Sequence, residues 1–234
     1  TGYTFVGWSE TSTTSAASAR AAGSSFTLGS TDVMMYAIWY AEITYDGNGN
    51  DPSTTAPTDS TKYLPGATVT IASGSAITRG GANFAGWNTQ ADGGGQSFAA
   101  GAVPTMGSSL SSSTLAGATT LFAKWSTTLS YDGNTGATGS APTALTTYAI
   151  GASATVLDNT GSYAKTGNTF TGWNTLADGS GVDYYAGSSL TMDTFTVLYA
   201  QWTNATTYKI TYTNGGATSG SVPVDNRNYE TTNS

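Results

Sequence analysis

Six tryptophans in three pairs constrain this chain more than any other feature. Trp87 lies in Asn83-Phe84-Ala85-Gly86-Trp87-Asn88-Thr89, and Trp173 lies 86 residues later in Thr169-Phe170-Thr171-Gly172-Trp173-Asn174-Thr175. Trp8 closes a third such string, Tyr3-Thr4-Phe5-Val6-Gly7-Trp8. Each is followed by a second tryptophan that ends an apolar run: Tyr36-Ala37-Ile38-Trp39, Phe122-Ala123-Lys124-Trp125 and Tyr199-Ala200-Gln201-Trp202. Large aromatics returning in this way mark one structural unit used repeatedly. Arrays of small modules space, display or bind, so the repeat restricts function as well as fold.

The unit can be followed along the chain. Ile43-Thr44-Tyr45-Asp46-Gly47-Asn48 alternates apolar and polar residues and then reaches turn residues, which predicts a strand entering a tight turn. Ala67–Ile71 predicts a second strand, Phe84–Trp87 a short third, Ala91-Asp92-Gly93-Gly94-Gly95 a turn, and Thr120–Trp125 a closing strand. The same order returns as Leu129-Ser130-Tyr131-Asp132-Gly133-Asn134, Ala152–Leu157, Phe170–Trp173, Ala177-Asp178-Gly179-Ser180-Gly181 and Thr196–Trp202. The two tryptophans are 38 residues apart in one copy and 29 in the next; the extra residues fall in Gly107–Ala118, which reads as an exposed loop. Four segments result. Residues 1–41 match the second part of a unit, 42–126 and 127–203 match complete units, and 204–234 match the first part of another. Ile210-Thr211-Tyr212-Thr213-Asn214-Gly215 carries that last match. The chain opens on Thr1 without a secretory leader, so a processed chain or a section of a longer array is expected.

Thr, Tyr, Phe and Trp favour strands, and Gly, Asn and Asp favour turns, so the chain is expected to be all-β or β-rich α+β. With 38% hydrophobic and 12% aromatic residues it can build cores in units of about 80 residues, near the lower size for independent folding. The expected core comprises Trp8, Trp39, Trp87, Trp125, Trp173, Trp202, Phe5, Phe84, Phe170, Tyr45, Tyr131 and Tyr212. Because side chains alternate along a strand, Leu121, Ala123 and Trp125 share the expected inner face, as do Met35, Ala37, Trp39 and Leu198, Ala200, Trp202. Phe122, Lys124, Tyr36, Ile38, Tyr199 and Gln201 fall on the other.

Charge and composition exclude several functions. The net charge is −7, and the seven Lys and Arg are scattered, so no basic patch exists for nucleic acid or an anionic membrane surface. No apolar run reaches membrane-spanning length. The absence of His and Cys rules out His-based catalysis, His ligation of metals, thiolate chemistry and disulfides. Low charge with abundant Thr, Ser, Gly and Asn fits an exported bacterial surface protein.

Phe170-Thr-Gly-Trp-Asn-Thr-Leu-Ala-Asp-Gly-Ser-Gly181, with Tyr185-Ala-Gly187, Leu190-Thr-Met192 and Leu198-Tyr-Ala-Gln-Trp202, resembles the internalin B-type repeat, also called the Listeria–Bacteroides repeat. Tyr131-Asp-Gly-Asn134 resembles the start of that module. The resemblance implies tandem, small, β-grasp-like (ubiquitin-related) sheet modules in bacterial surface proteins, which act as spacer, stalk or adhesive element without catalytic residues. Residues 1–41 depart from the pattern, with Ser9-Glu10 after Trp8 and Ala17–Gly23 where the Asp-Gly-x-Gly turn belongs.

Other candidate sites read more simply as structure. The 14 Asp and Glu sit mainly in turn strings, where Asp shapes the backbone. Asp46, Asn48, Asn50 and Asp51 form an oxygen-rich cluster, but its spacing is not that of an EF-hand and Asn-Gly and Asp-Gly are hairpin signals. Tyr184, Tyr185 and Tyr199 offer sugar-stacking surfaces, yet Phe98, Ala99 and Phe122 replace them in the other copy. Lys62, Lys124, Lys165 and Lys209 have the chemistry for isopeptide links, without an identifiable acidic partner. Thr is frequent but irregular, as strand propensity explains, and does not form the flat array of an ice-binding face.

The expected function is that of a non-enzymatic structural repeat region of a bacterial cell-surface or secreted protein. No catalytic residue, cofactor or metal is expected, and neither nucleic acid binding nor membrane insertion. The expected partners are neighbouring repeat modules. Two alternatives stand beside this: a self-assembling extracellular filament whose half-units are completed between chains, and a module binding a host or cell-surface glycan or protein.

Overall fold

A computed structural model describes residues 2–12, 19–107, 110–111, 113–143, 147–205, 207–216, 218–225, 227 and 229–230. No helix occurs among them, so the fold is all-β and the α+β alternative falls away. The strands are β1 (Thr4–Ser9), β2 (Tyr36–Tyr40), β3 (Ile43–Asp46), β4 (Asn83–Asn88), β5 (Ser97–Phe98), β6 (Thr105–Gly107), β7 (Thr114–Ala116), β8 (Thr119–Asp132), β9 (Thr147–Ala149), β10 (Ala152–Thr155), β11 (Asn168–Asn174), β12 (Asp183–Tyr184), β13 (Ser189–Met192), β14 (Thr196–Asn204), β15 (Thr207–Tyr208) and β16 (Tyr229–Glu230). The chain forms two compact units. One comprises Thr1–Thr127, Thr147–Ala152 and Asp193–Phe195, and the other Thr128–Thr146, Ser153–Met192 and Thr196–Ser234.

In the first unit β3 runs parallel to β8, with Ile43 opposite Thr119 and Tyr45 opposite Leu121. On its other side β8 pairs antiparallel with β4, which in turn pairs with β5. The second unit repeats this plan. The end of β8, Leu129–Asp132, runs parallel to β14, and β14 pairs antiparallel with β11, which pairs with β12. The expected closing strand at Thr120–Trp125 and opening strand at Leu129–Tyr131 are thus one continuous strand. Its burial alternates throughout, with Leu121, Ala123, Trp125, Thr127, Leu129 and Tyr131 all buried.

A bulge in the Phe-x-Gly-Trp string explains why both its aromatics face one core. In a regular strand residues three apart point to opposite faces. Register shifts between Phe84 and Trp87, and between Phe170 and Gly172, restore them to one side. The rings then meet edge to face, with centroids 5.2 and 5.0 Å apart. Gly86 stands at φ +105°, and a Cβ there would lie 2.8 Å from the Phe98 carbonyl oxygen, so the bulge requires glycine.

The core of the first unit gathers Ile43, Val69, Ile71, Trp87, Phe98, Met106, Leu115, Leu121, Ala123 and Trp125, with Tyr45 and Phe84 packed against it. In the second, Leu129, Tyr131, Ala154, Val156, Trp173, Leu190, Met192, Leu198 and Ala200 are buried. Phe5, Phe170 and Trp202 are half-buried.

Several expectations need correction. Trp8, Trp39 and Tyr212 are 43%, 44% and 45% exposed rather than in a core. In β2 it is Ile38 that is buried, while Ala37 and Trp39 face outward, the reverse of the expected faces. Among the described residues, 2–41 contain no counterpart of β3 or of Val69 and Ile71, and Trp39 instead packs on Phe5 and borders an open cleft with Leu64, Pro65 and Ala67. Gly107–Ala118 is not simply an exposed loop, although residues 108, 109 and 112 lie outside the described residues. It contains β7, which pairs parallel to β6 and places Leu115 fully inside the core. Ala67–Ile71 makes ladder-like bonds, Val69 N–H to Pro104 O at 2.8 Å and Ile71 N–H to Ala102 O at 2.9 Å, but is no regular strand. Pro104 has no N–H to return. The other unit has Leu190 at that position, and there β10 and β13 pair as a two-stranded sheet. In residues 1–41, the Ala17 end of the departing turn lies outside the described residues, and Trp8 bridges to Arg20 where Trp87 pairs with Phe98.

Candidate functional site

The polar residues that repeat between the two units converge at the ends of the sheet, around two turns. The first turn follows β3 or the end of β8. Asp46 Oδ1 accepts the Asn48 N–H at 2.7 Å, and Asp132 Oδ1 accepts that of Asn134 at 2.7 Å. Asn48 and Asn134 sit at φ +47° and +64°, a left-handed conformation that Asn tolerates. Their side-chain amides reach across the module. Asn48 Nδ2 donates to Ala91 O at 2.8 Å and Ala123 O at 3.0 Å, and Asn134 Nδ2 donates to Ala177 O at 2.6 Å and Ala200 O at 3.1 Å. Each links the first turn to both the Ala-Asp-Gly turn and the closing strand.

The second turn is organised by an asparagine with no exposed surface. Asn88 Oδ1 accepts the N–H groups of Gln90 at 2.8 Å and Gly95 at 3.0 Å, while its Nδ2 donates to Gly93 O, Gly95 O and Ser97 Oγ. Asn174 does the same with Leu176 N–H, Gly181 N–H, Gly179 O and Asp183 Oδ1. The indoles complete the network. Trp87 Nε1 donates to Ala72 O and Trp173 Nε1 to Leu157 O, while Trp125 and Trp202 donate to Gly47 O and Gly133 O. Tyr45 and Tyr131 hydroxyls accept the N–H of Ala72 and Leu157. Among the described residues no buried side-chain polar atom lacks a partner. Sequence reading centred this region on the Asp-Gly turn and missed Asn88 and Asn174; their repetition straight after the first tryptophan of each full copy was the available signal.

The other candidates are spread over separate tasks. In the oxygen-rich cluster, Asp46 holds its own turn, Asp51 accepts from Thr78 Oγ1 and Gly80 N–H, and Asn50 donates to Asp51 O and Thr54. No group of three or more acidic residues gathers at metal-binding distance among the described residues. Lys124 Nζ bonds Ser97 Oγ at 3.0 Å, and Lys62 Nζ lies 4.6 Å from the Tyr40 ring centroid. Tyr185 is exposed and Tyr184 and Tyr199 are half-buried, whereas Phe98 in the first unit is buried. A cleft of about 210 Å³ in the first unit is bounded by Asn48, Arg79, Asp92, Lys124 and Trp125. That is smaller than a typical small-molecule site, and Asp92 is its sole carboxylate.

Few groups titrate abnormally. Partial burial would raise the Asp59 pKa, but hydrogen bonds from Thr61 and from the Tyr63 hydroxyl at 2.8 Å outweigh it and hold the carboxyl below its ordinary value. Burial raises the Tyr3, Tyr45 and Tyr63 phenols, with the Asp59 carboxylate adding to the effect at Tyr63. The Ser180 hydroxyl and N–H lower Asp178. A lowered folded-state carboxyl pKa means the unfolded chain binds more protons in acid, so stability falls as pH drops below about 4. Raised phenol pKa values act oppositely: their contribution is complete below about pH 10 and is lost as pH rises through the folded values. With no histidine between these limits, the urea midpoint is expected to stay level from about pH 5 to 9 and fall on both sides. A midpoint that changes inside that window would contradict this assignment.

The geometry defines a protein built from small β-sheet repeat modules with structural polar networks. The chain belongs to the Listeria-Bacteroides repeat domain family, whose model matches residues 42–124 and again 128–201. It is also similar, at 34% identity over 193 residues, to a protein of Evansella cellulosilytica named as a Gly-rich membrane protein. That match covers 80% of this chain but 21% of the relative, so the chain spans about a fifth of the relative's length. No solved structure matches the chain. The repeat family is found in bacterial surface proteins. Among the described residues no helix is long and apolar enough to cross a membrane, which says nothing about a β-barrel.

Proposed function

We propose that this chain is a non-enzymatic spacer region of a bacterial cell-surface or secreted protein, made of tandem modules of the internalin B type. The observation that carries the reading is the shared polar network. The repeated Asp, Asn, Tyr and Trp groups are spent on one another's backbones and turns, in the same pairings in both units. Chemistry repeated this way serves module stability rather than a substrate. The parallel contact between the first and last strands of each module supports a β-grasp-like, ubiquitin-related reading of the fold. The scattered cations and net charge of −7 argue against nucleic acid as a partner and favour exposure outside the cell. Membership in a family of surface proteins points the same way.

The test is made in cells that produce the parent protein. Antibody against residues 42–203 should label intact cells. Replacing those residues with an unrelated β-rich spacer of equal length should leave the parent's adhesion or display unchanged, whereas deleting them should impair it. Loss of adhesion with the length preserved would instead make the modules themselves the binding element.

A further inference from the structure

The cleft of about 210 Å³ in the first unit holds charges that the shared polar network does not explain. Arg79, Lys124 and Asp92 border it together with Asn48, Trp125 and Ile150, all between residues 48 and 150. Arg79 and Lys124 are two of the chain's seven cations, and both are half-buried. Although the chain has 14 Asp and Glu, neither cation forms an ion pair among the described residues; the pairs there are Arg20–Glu10 and Arg227–Asp225. Arg79 Nη1 donates to Asn48 O at 3.2 Å, and Lys124 Nζ to Ser97 Oγ at 3.0 Å. Guanidinium and ammonium groups both carry further N–H donors beyond these single bonds. Asp92 Oδ1 accepts the Gly94 N–H at 2.9 Å, which leaves its carboxylate acceptor capacity toward the cleft. Ile150 supplies an apolar wall and is held there by its N–H, which donates to Trp125 O at 3.3 Å.

The fold does not require Lys124. Ala123 pairs with Trp87 as Ala200 pairs with Trp173, so Gln201 is its counterpart in the second unit, and the leading copy has Ile38. The strand forms with any of the three. Arg79 and Asp92, by contrast, return 86 residues later as Lys165 and Asp178. There the acceptor is occupied twice, since Asp178 Oδ1 takes both the N–H and the hydroxyl of Ser180. Gln201 carries no charge, and its Nε2 donates to Leu176 O and Tyr199 O. The paired cations are therefore particular to the first unit.

We propose that this cleft binds a single hexuronate, the acidic sugar unit of an anionic polysaccharide. A hexuronate presents the complementary set: a carboxylate for Arg79 and Lys124, ring hydroxyls for Asp92, and a C–H face for Ile150. Charge-assisted bonds to the carboxylate supply most of the affinity, and Asp92 turns away a bare polyanion by repulsion. The volume suits one sugar rather than a drug-sized ligand. The site goes beyond the spacer reading and does not depend on it, because it uses the one closing-strand residue that the copies do not share.

Amide NMR of the 234-residue chain titrated with D-galacturonate tests the proposal. The Gly93 and Gly94 signals should shift saturably, while Gly179 and Ser180 in the second unit stay in place. D-galactose, which lacks the carboxylate, should leave all four unmoved. Lys124→Gln puts the second unit's own residue at this position, so the fold is kept, and binding should weaken about 10-fold or more, as for loss of a hydrogen bond to a charged group. Lys124→Arg keeps the charge and should retain binding. A titration without saturation, or one that Lys124→Gln leaves unchanged, overturns the proposal. Inorganic phosphate bound as tightly as galacturonate overturns it too, because charge alone would then account for the site.

Discussion

Replacing Asn174 with alanine is expected to destabilise the second unit by about 2–4 kcal/mol, the cost of leaving several turn groups without partners. The side chain has no exposed surface and makes four bonds, two accepted from Leu176 and Gly181 and two donated to Gly179 and Asp183. Alanine removes all four and leaves a void, and water reaches only the outer groups of the turn. Asn174→Asp separates the bonds from the volume. It keeps the acceptor, loses both donors and brings a second carboxylate to Asp183, so it should be at least as damaging at neutral pH and recover in acid. Urea denaturation gives the magnitude, and hydrogen exchange over residues 175–183 gives the location. A loss under about 0.5 kcal/mol for Asn174→Ala would show the turn holds its shape without this side chain.

Trp173→Ala is expected to cost about 3–5 kcal/mol, the range for deleting a large buried aromatic. Trp173 is 1% exposed, packs against Tyr131, Phe170 and Tyr163, and donates its indole N–H to Leu157 O. Net stabilities of natural domains are about 5–15 kcal/mol, so a small unit would be close to unfolding. Trp8→Ala is the control, because Trp8 occupies the same motif position but is 43% exposed. Its cost should be clearly smaller, about 1–2 kcal/mol, since nearly half of its surface already lies in water. Equal costs for the two would mean that burial does not decide the role of the repeated tryptophan.

These contrasts show where a sequence motif stops specifying structure. Phe-x-Gly-Trp produces the same local bulge in all three copies, with a register shift after each phenylalanine. Burial of the tryptophan depends on whether a first strand with its tyrosine lies alongside. The same holds for the closing strand. Alternation alone placed Leu121, Ala123 and Trp125 on one face, and they are buried. It placed Trp39 inward by the same rule, but there Ile38 is the buried residue. Composition similarly read Gly107–Ala118 as loop, because short polar residues dominate it. Its Leu115 became core because β6 offered a strand edge to pair with.

The sequence by itself determined the repeat, the positions of most strands and turns, the β-rich character and the exclusion of histidine and thiol chemistry. These follow from local pattern and from residue types that are present or missing. Only the tertiary structure decided the parallel contact of first and last strands, the continuity of β8 and the organising role of Asn88 and Asn174. Strand neighbours and buried hydrogen bonds join residues far apart in sequence. Asn134, for example, meets Ala200 O across 66 positions, and a linear pattern carries no record of such distances.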